Sequence, residues 1–163
     1  MTGEAPAIFA ALEQSGLGAA IRQSRWLFPV ANVGHIIALA VFAGAIAIMD
    51  VRLLGGLAAT SPARLLMRAR SVAIAAFVLL AATGFLLFAA EASHLALNPV
   101  FQIKVALIGL GLANLAVFEF GVKRSVINLS PDVTMPAGAK LAGMMSLAIW
   151  ITVAACGRTI AYF

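Results

Sequence analysis

The sequence predicts an all-α integral membrane protein, an antiparallel four-helix bundle with an N-terminal interfacial amphipathic helix. The first observation is composition, which is 63% hydrophobic and only 10% charged, whereas soluble domains carry about 25% charged residues. The second is a set of four long apolar stretches, since about 20 apolar residues suffice to cross a bilayer as a helix. The third is the shortness of the polar connections, which makes successive spans antiparallel neighbours.

The first 25 residues form the interfacial segment of this prediction. Between residues 6 and 24, Ile8, Leu12 and Ile21 fall near one helical face, and Glu13 lies elsewhere. Trp26 follows, and tryptophan is enriched at the membrane–water interface. An amphipathic helix lying in the interface plane is therefore predicted for residues 1–25, with a transmembrane domain over 26–163.

The first span is the clearest, because no charged residue interrupts the run from Trp26 to Met49. Pro29 falls in its first turn, where a missing N–H does little harm. The Asn98-Pro99 pair is a strong loop signal between the second and third spans. The predicted spans are about 27–50, 70–92, 102–122 and 140–160.

The basic residues predict the orientation. Eleven Lys and Arg residues give the chain a net charge of +5, and most of them sit in two loops, whose basic residues are Arg52, Arg64, Arg68 and Arg70 in one and Lys123, Arg124 and Lys140 in the other. The positive-inside rule places both loops in the cytoplasm and both termini on the periplasmic side of a bacterial inner membrane. Nucleic acid is not a predicted partner, because the basic residues mark topology rather than a binding face.

One predicted layer of polar residues lies near the far end of the spans. At 1.5 Å per residue, His35 lies about 22 Å above the basic loops. A set of polar side chains from all four helices comes at about 27–32 Å; its members are Asn32, Glu91, Lys104 and Arg158. An ionisable residue at membrane depth is a functional-site hypothesis by default, which gives this layer its interest.

His35 supports two interpretations. It is either a neutral imidazole that links two helices by a hydrogen bond, or an axial ligand of a metal or haem iron. On the second interpretation, a haem b would have its iron at His35 and its propionates in the layer of Lys104 and Arg158. The predicted cofactor-binding residues are His35, Asn32, Lys104, Arg158 and Glu91, with His35 as the possible ligand of haem iron.

The other polar residues have simpler interpretations. His94 comes out about 14 Å above His35, too distant to be a second axial ligand, and is predicted to be a solvated turn residue. Cys156 is predicted to pack between helices rather than to bind copper. Three further predictions concern pairing: Glu91 with Lys104 or Arg158, Asp50 and Glu119 with Arg52, Lys123 or Arg124, and Asn114 as a hydrogen-bonding link between helices.

Four segments carry a resemblance to a known family. The stretches HIIALAVFAGAIAIMDVRLLG, TGFLLFAAEA, NPVFQIKVALIGLGLANLAVFE and GRTIAY resemble a family of small bacterial four-span membrane proteins of unknown function. The layout is also similar to cytochrome b561-type and copper-resistance CopD-like membrane domains, in span count and in a histidine in the first helix. The residues on the matching signatures are His35, Asp50, Arg52, Glu91, Lys104 and Arg158.

The sequence leaves several functions open. The leading hypothesis is a haem b-binding electron-transfer or membrane-anchor subunit that uses His35. The alternatives are a cofactor-free accessory subunit of a larger membrane complex, and a copper or small-solute permease with Asn114, Thr83 and Ser146 on its path. The chain carries no catalytic motif such as a Walker loop, GxSxG or HExxH, so it is not predicted to be an enzyme by itself. The expected partners are the lipid bilayer and either a membrane complex or further copies of the chain.

Overall fold

The computed structural model of the protein describes residues 5–162, and this part of the chain is all-helical, as predicted. Four helical stretches are long and apolar enough to cross a membrane, so the protein is a multi-pass membrane protein with a four-helix bundle. The elements in chain order are α1 (Ala7–Gln14), α2 (Gly16–Gln23), α3 (Leu27–Leu53), α4 (Pro62–Ala90), α5 (Ala92–Leu97), α6 (Pro99–Val117), a π-helical segment (Phe118–Val122), α7 (Lys123–Ile127), α8 (Ala137–Thr159) and a 3₁₀ turn (Ile160–Tyr162).

Each span extends at least three residues beyond a predicted limit, and the second and third spans differ most. Helix α4 begins at Pro62, well before residue 70, because proline is well suited to the first turn of a helix. Its first turns are polar and carry Arg64 and Arg68, both exposed, so apolarity alone gave too short a helix. The third span continues without a break in helical structure from Pro99 to Ile127.

Local sequence explains where the helices start and stop. Asn98 caps α6, since its side-chain oxygen accepts hydrogen bonds from the backbone N–H groups of Val100 and Phe101 at 2.9 and 3.1 Å. Helix α3 ends where Gly55 adopts a φ of +103°, a conformation that glycine reaches at little cost. Asn98-Pro99, predicted as a loop signal, thus marks the start of α6, and Gly55 marks the end of α3.

The four spans pack in the order α4–α3–α8–α6. Helices α4 and α6 stand at the two ends of this row and meet at their extremities. Near one extremity, the rings of Phe88 and Phe101 stack with centroids 5.3 Å apart. Near the other, Arg70 Nη1 lies 3.1 Å from Glu119 Oε1. The basic residues predicted for two loops lie instead in the helical turns that flank connections 54–61 and 128–136. We call the end that carries these connections the basic-loop end, and the opposite end the terminal end.

The N-terminal segment consists of two short helices rather than the single predicted helix, because Ser15 breaks it and caps α2. Both helices pack on the terminal end of α4. Arg22 donates to the carbonyl of Ala90 at 2.9 Å, and Glu13 accepts a hydrogen bond from the backbone N–H of Ser93 at 2.8 Å. The two charged side chains thus cover the last carbonyls of α4 and the first N–H groups of α5.

Candidate functional site

His35 lies on α3, half-buried, and its ring is turned towards α4. Its Nδ1 lies 2.9 Å from Thr83 Oγ1. The Thr83 hydroxyl donates to the carbonyl of Leu79 at 2.7 Å, so it is available to accept a hydrogen bond from Nδ1–H of the imidazole. This arrangement assigns the Nδ1–H tautomer and leaves the lone pair of Nε2 free. The bond joins α3 to α4, as in the first interpretation of His35, a neutral imidazole that links two helices.

The contact between His35 and α4 is tight. A Cβ atom added to Gly84 would lie 3.2 Å from His35 Cε1, closer than an ordinary van der Waals contact. A Cβ atom added to Gly34, one residue before His35, would lie 3.6 Å from the methyl carbon of Thr83. Small residues on α3 and α4 therefore allow the backbones to approach closely at this depth.

Lys104 and Arg158 differ in burial. Lys104 is half-buried, and its Nζ would lie 3.5 Å from a Cβ atom placed on Gly157. Arg158 is exposed, and its guanidinium lies 5.1 Å above the centre of the Tyr162 ring. The structure thus places the Lys104 ammonium beside Gly157 of α8, whereas the Arg158 guanidinium lies at the surface.

Asn32 and Glu91 line a separate, open cavity of about 590 Å³ at the terminal end. His94 also lies in its wall and is exposed, as predicted, but it belongs to helix α5 rather than to a turn. Among residues 5–162, no cluster of three or more His, Cys, Asp or Glu side chains is suited to hold a metal ion. His35 does not line this cavity.

The predicted ion pairs are only partly correct. Glu119 pairs with Lys123, as predicted, and also with Arg70. In the part of the chain that the structure describes, Glu91 forms no ion pair with Lys104 or Arg158, and Asp50 forms none with a basic residue. Glu91 is exposed at the end of α4, and Asp50 points away from Arg52 because residues two apart lie on opposite sides of a helix.

A second cavity, which the sequence did not predict, lies in the half of the bundle nearer the basic loops. It measures about 160 Å³, and its lining is mostly apolar. Three aromatic rings form part of its wall, those of Phe42, Phe77 and Trp150. Its walls come from α3, α4, α6 and α8. Exposed side chains at its rim belong to α4 and α6, so it opens sideways where these two helices stand apart; they are Ile74, Val78, Leu112 and Leu115.

The polar residues of this cavity are grouped towards the basic-loop end. Asp50 is 3% exposed, and its Oδ2 is buried without a hydrogen-bond partner in the described part of the chain. Asn114, also in the wall, donates its Nδ2 to the carbonyl of Ala142 at 3.0 Å, which confirms its predicted role as a link between helices. Ser146 and Arg70 complete the polar lining. A buried carboxyl oxygen without a partner is unusual in a native structure; among the described residues Arg52 Nη1 is also buried without a partner, but Arg52 does not line the cavity.

The sequence matches one protein-family model. A family model described as a family of unknown function, DUF6644, matches residues 15–163. The chain belongs to this family. In comparisons with curated proteins and with solved structures, nothing matched. The match covers all four spans and both cavities, so the DUF6644 domain includes every residue of the predicted layer and of the Asp50 cavity.

Proposed function

We propose that this DUF6644 protein binds a lipid-soluble small molecule within the membrane, in the cavity beside Asp50. The single observation behind the proposal is Asp50 Oδ2, a buried acceptor without a partner in the wall of an apolar cavity. A native structure normally satisfies such an atom, because leaving it unpaired costs about 1–3 kcal/mol. A bound molecule that donates a hydrogen bond would remove this cost.

The shape of the bundle supports a lipid-soluble ligand. The cavity opens between α4 and α6, among apolar side chains that face the membrane. A molecule dissolved in the bilayer could enter sideways without crossing a polar surface. An apolar cavity with a few convergent polar groups is the usual form of a small-molecule site. The proposal develops the permease alternative, because Asn114 and Ser146 of the predicted path lie in this wall.

The experiment compares two substitutions on the same helix. Ala73 is buried in the cavity wall, whereas Ala75 is exposed on α4. The protein, Ala73→Phe and Ala75→Phe are each purified in lipid nanodiscs, and the small molecules in organic extracts are quantified by mass spectrometry. We expect a compound that is retained by the protein and by Ala75→Phe but depleted in Ala73→Phe. Identical extracts from all three would contradict the proposal.

A second candidate is a haem b at His35, in an electron-transfer or membrane-anchor role. The observation that favours it is the Nδ1–Thr83 hydrogen bond, because metal-bound histidines usually engage their other ring nitrogen in such a bond. Lys104 would then be the neighbour for a propionate, and the haem would supply one-electron chemistry. The donor set offers one axial ligand, since His94, the other histidine, lines the open cavity at the terminal end. His35 lines neither described cavity and packs tightly on Gly84, so a haem there would require the helices beside His35 to move apart.

An absorption spectrum tests this second candidate. Protein expressed with haem supplementation and purified in mild detergent should show a Soret band, and His35→Ala should lose it while Cys156→Ala keeps it. The absence of a Soret band in the unmodified protein, or an equal band in His35→Ala, would exclude His35 as the ligand.

A further inference from the structure

The charges around the Asp50 cavity restrict what it can bind. Arg70 in the cavity wall is paired with Glu119, and Glu119 is also paired with Lys123. The charge of Arg70 is thus already compensated by a carboxylate, and Arg70 and Asp50 are the basic and acidic side chains of an otherwise mostly apolar lining. A charged ligand would upset this balance in a region where uncompensated charge is costly. The cavity therefore favours an uncharged molecule.

Two polar atoms of the cavity wall can accept a hydrogen bond from a ligand. Asp50 Oδ2 has no partner. The amide nitrogen of Asn114 is already committed to the carbonyl of Ala142, which leaves its side-chain oxygen as the group that can meet a ligand. A molecule that presents an O–H or N–H group can satisfy these two acceptors. The donors of the same lining are the Ser146 hydroxyl and the guanidinium of Arg70, which is paired with Glu119.

The apolar part of the wall is aromatic. Phe42 packs edge-to-face against Trp150 with centroids 4.7 Å apart and lies 5.7 Å from Phe77. Aromatic rings favour further aromatic neighbours in offset or edge-to-face geometry. The cavity of about 160 Å³ is close in size to an engineered cavity of about 150 Å³ that holds one benzene ring. The space therefore suits a single six-membered ring, with any apolar tail leaving between α4 and α6.

We propose that the ligand is an uncharged, lipid-soluble phenol or quinol, whose ring lies against Phe42, Phe77 and Trp150 and whose hydroxyl donates to Asp50. This inference rests on the proposed function and names its ligand class. It makes Asp50 the residue that distinguishes a hydroxylated ring from the same ring without a donor.

The chain provides its own fluorescent reporter. It contains two tryptophans, and Trp26 is 72% exposed near the terminal end. Trp26→Phe leaves Trp150, in the cavity wall, as the sole tryptophan. The probes are a decylphenol carrying one ring bromine, which quenches tryptophan at contact, and its methyl ether, which lacks only the donor.

We expect the phenol to quench Trp150 at about tenfold lower concentration than the ether in nanodiscs, as one hydrogen bond to a buried carboxylate implies. Asp50→Asn in the Trp26→Phe background should remove most of this difference. Asp132→Asn, in an exposed connection, should preserve it. Ala73→Phe should weaken quenching by both probes, which locates the quenching in the cavity.

The outcomes separate the two proposals. Equal quenching by phenol and ether, abolished by Ala73→Phe, would overturn the role of Asp50 but support an intramembrane binding cavity. Quenching that Ala73→Phe leaves unchanged, or its absence with both probes, would reject this cavity as the site for aromatic ligands. The phenol–ether comparison in the Trp26→Phe protein needs no change at Asp50, so the test does not depend on how Asp50→Asn folds.

Discussion

Gly111 of α6 lies directly against the indole of Trp150 on α8. A Cβ atom at Gly111 would be 2.9 Å from Trp150 Cζ2 and 3.2 Å from Cε2. The absence of a side chain at this position therefore allows the indole to sit where it forms part of the Asp50 cavity. Gly109, two residues earlier on the same helix, has open space at the corresponding position.

Gly111→Ala should displace Trp150 and destabilise the bundle by about 1–3 kcal/mol, the usual cost of overpacking. Gly109→Ala is the matched control and should be neutral or slightly stabilising, since alanine is the better helix former. Unfolding in detergent, followed by Trp150 fluorescence in the Trp26→Phe background, measures both effects. Equal stability of the two variants would show that the contact with Trp150 does not limit the size of the side chain at residue 111.

Thr83→Val should weaken the pairing of α3 and α4. The substitution removes the acceptor of His35 Nδ1–H while preserving the shape of the side chain, and interhelical hydrogen bonds in membranes contribute about 0.6 kcal/mol on average. Thr152→Val is the control, because its exposed hydroxyl bonds only to the carbonyl of Ala148 in its own helix. Denaturant titration in detergent compares them, and equal midpoints would assign no stabilising role to the His35–Thr83 bond.

Arg52→Ala should loosen the connection 54–61. Arg52 is fully buried and donates to the carbonyl of Thr60 at 3.2 and 3.3 Å and to that of Ala58 at 3.5 Å. Hydrogen bonds that involve a charged group contribute about 1.5–3 kcal/mol, so a destabilisation of that order is expected. Limited proteolysis should cut this connection faster in Arg52→Ala than in Arg68→Ala, whose side chain is exposed. Equal cleavage rates would refute the anchoring role.

Acid should release the N-terminal helices from the bundle. The backbone N–H of Ser93 donates to Glu13 and holds the pKa of that carboxyl below its ordinary value of 4.5. A carboxyl with a lowered pKa stabilises the folded state above its ordinary pKa, and this contribution disappears as the pH falls through the folded-state value. Docking should thus be intact at neutral pH and weaken below about pH 4.5.

Amide exchange at Ser93, corrected for its intrinsic pH dependence, reports this docking. Protection should fall on acidification in the unmodified protein. Glu13→Gln should show weaker protection that no longer varies with pH in this range. A pH-dependent loss of the same size in Glu13→Gln would assign the effect to another group.

The four spans were predictable because each is a long apolar run bounded by strong signals. Asn98-Pro99 is an example, since its cap and its proline both act within one helical turn. The start of α4 was less predictable, because its first turns are polar and are held by proline geometry and by packing of Leu66. Apolar length alone therefore underestimates a helix that projects beyond the hydrophobic layer.

The Asp50 cavity could not be predicted, because it depends on the lateral order of the helices. Span count and charge predict only the depth of a residue along the bundle. They do not say that α4 and α6 occupy opposite ends of the row. Pairing Asp50 with a nearby basic residue was a reasonable expectation from sequence proximity, and it was wrong because helix rotation turns Asp50 towards the cavity.

The π-helical segment Phe118–Val122 has a mechanical consequence for the open side of the bundle. It begins at Phe118, which lines the cavity, and carries Glu119, which holds Arg70. A wider helical turn interrupts the regular i→i−4 ladder, and such places are where helices bend. Because the wall residue Phe118 and the Arg70 partner Glu119 both belong to this segment, a change of bend here would move the cavity wall and the contact with α4 together.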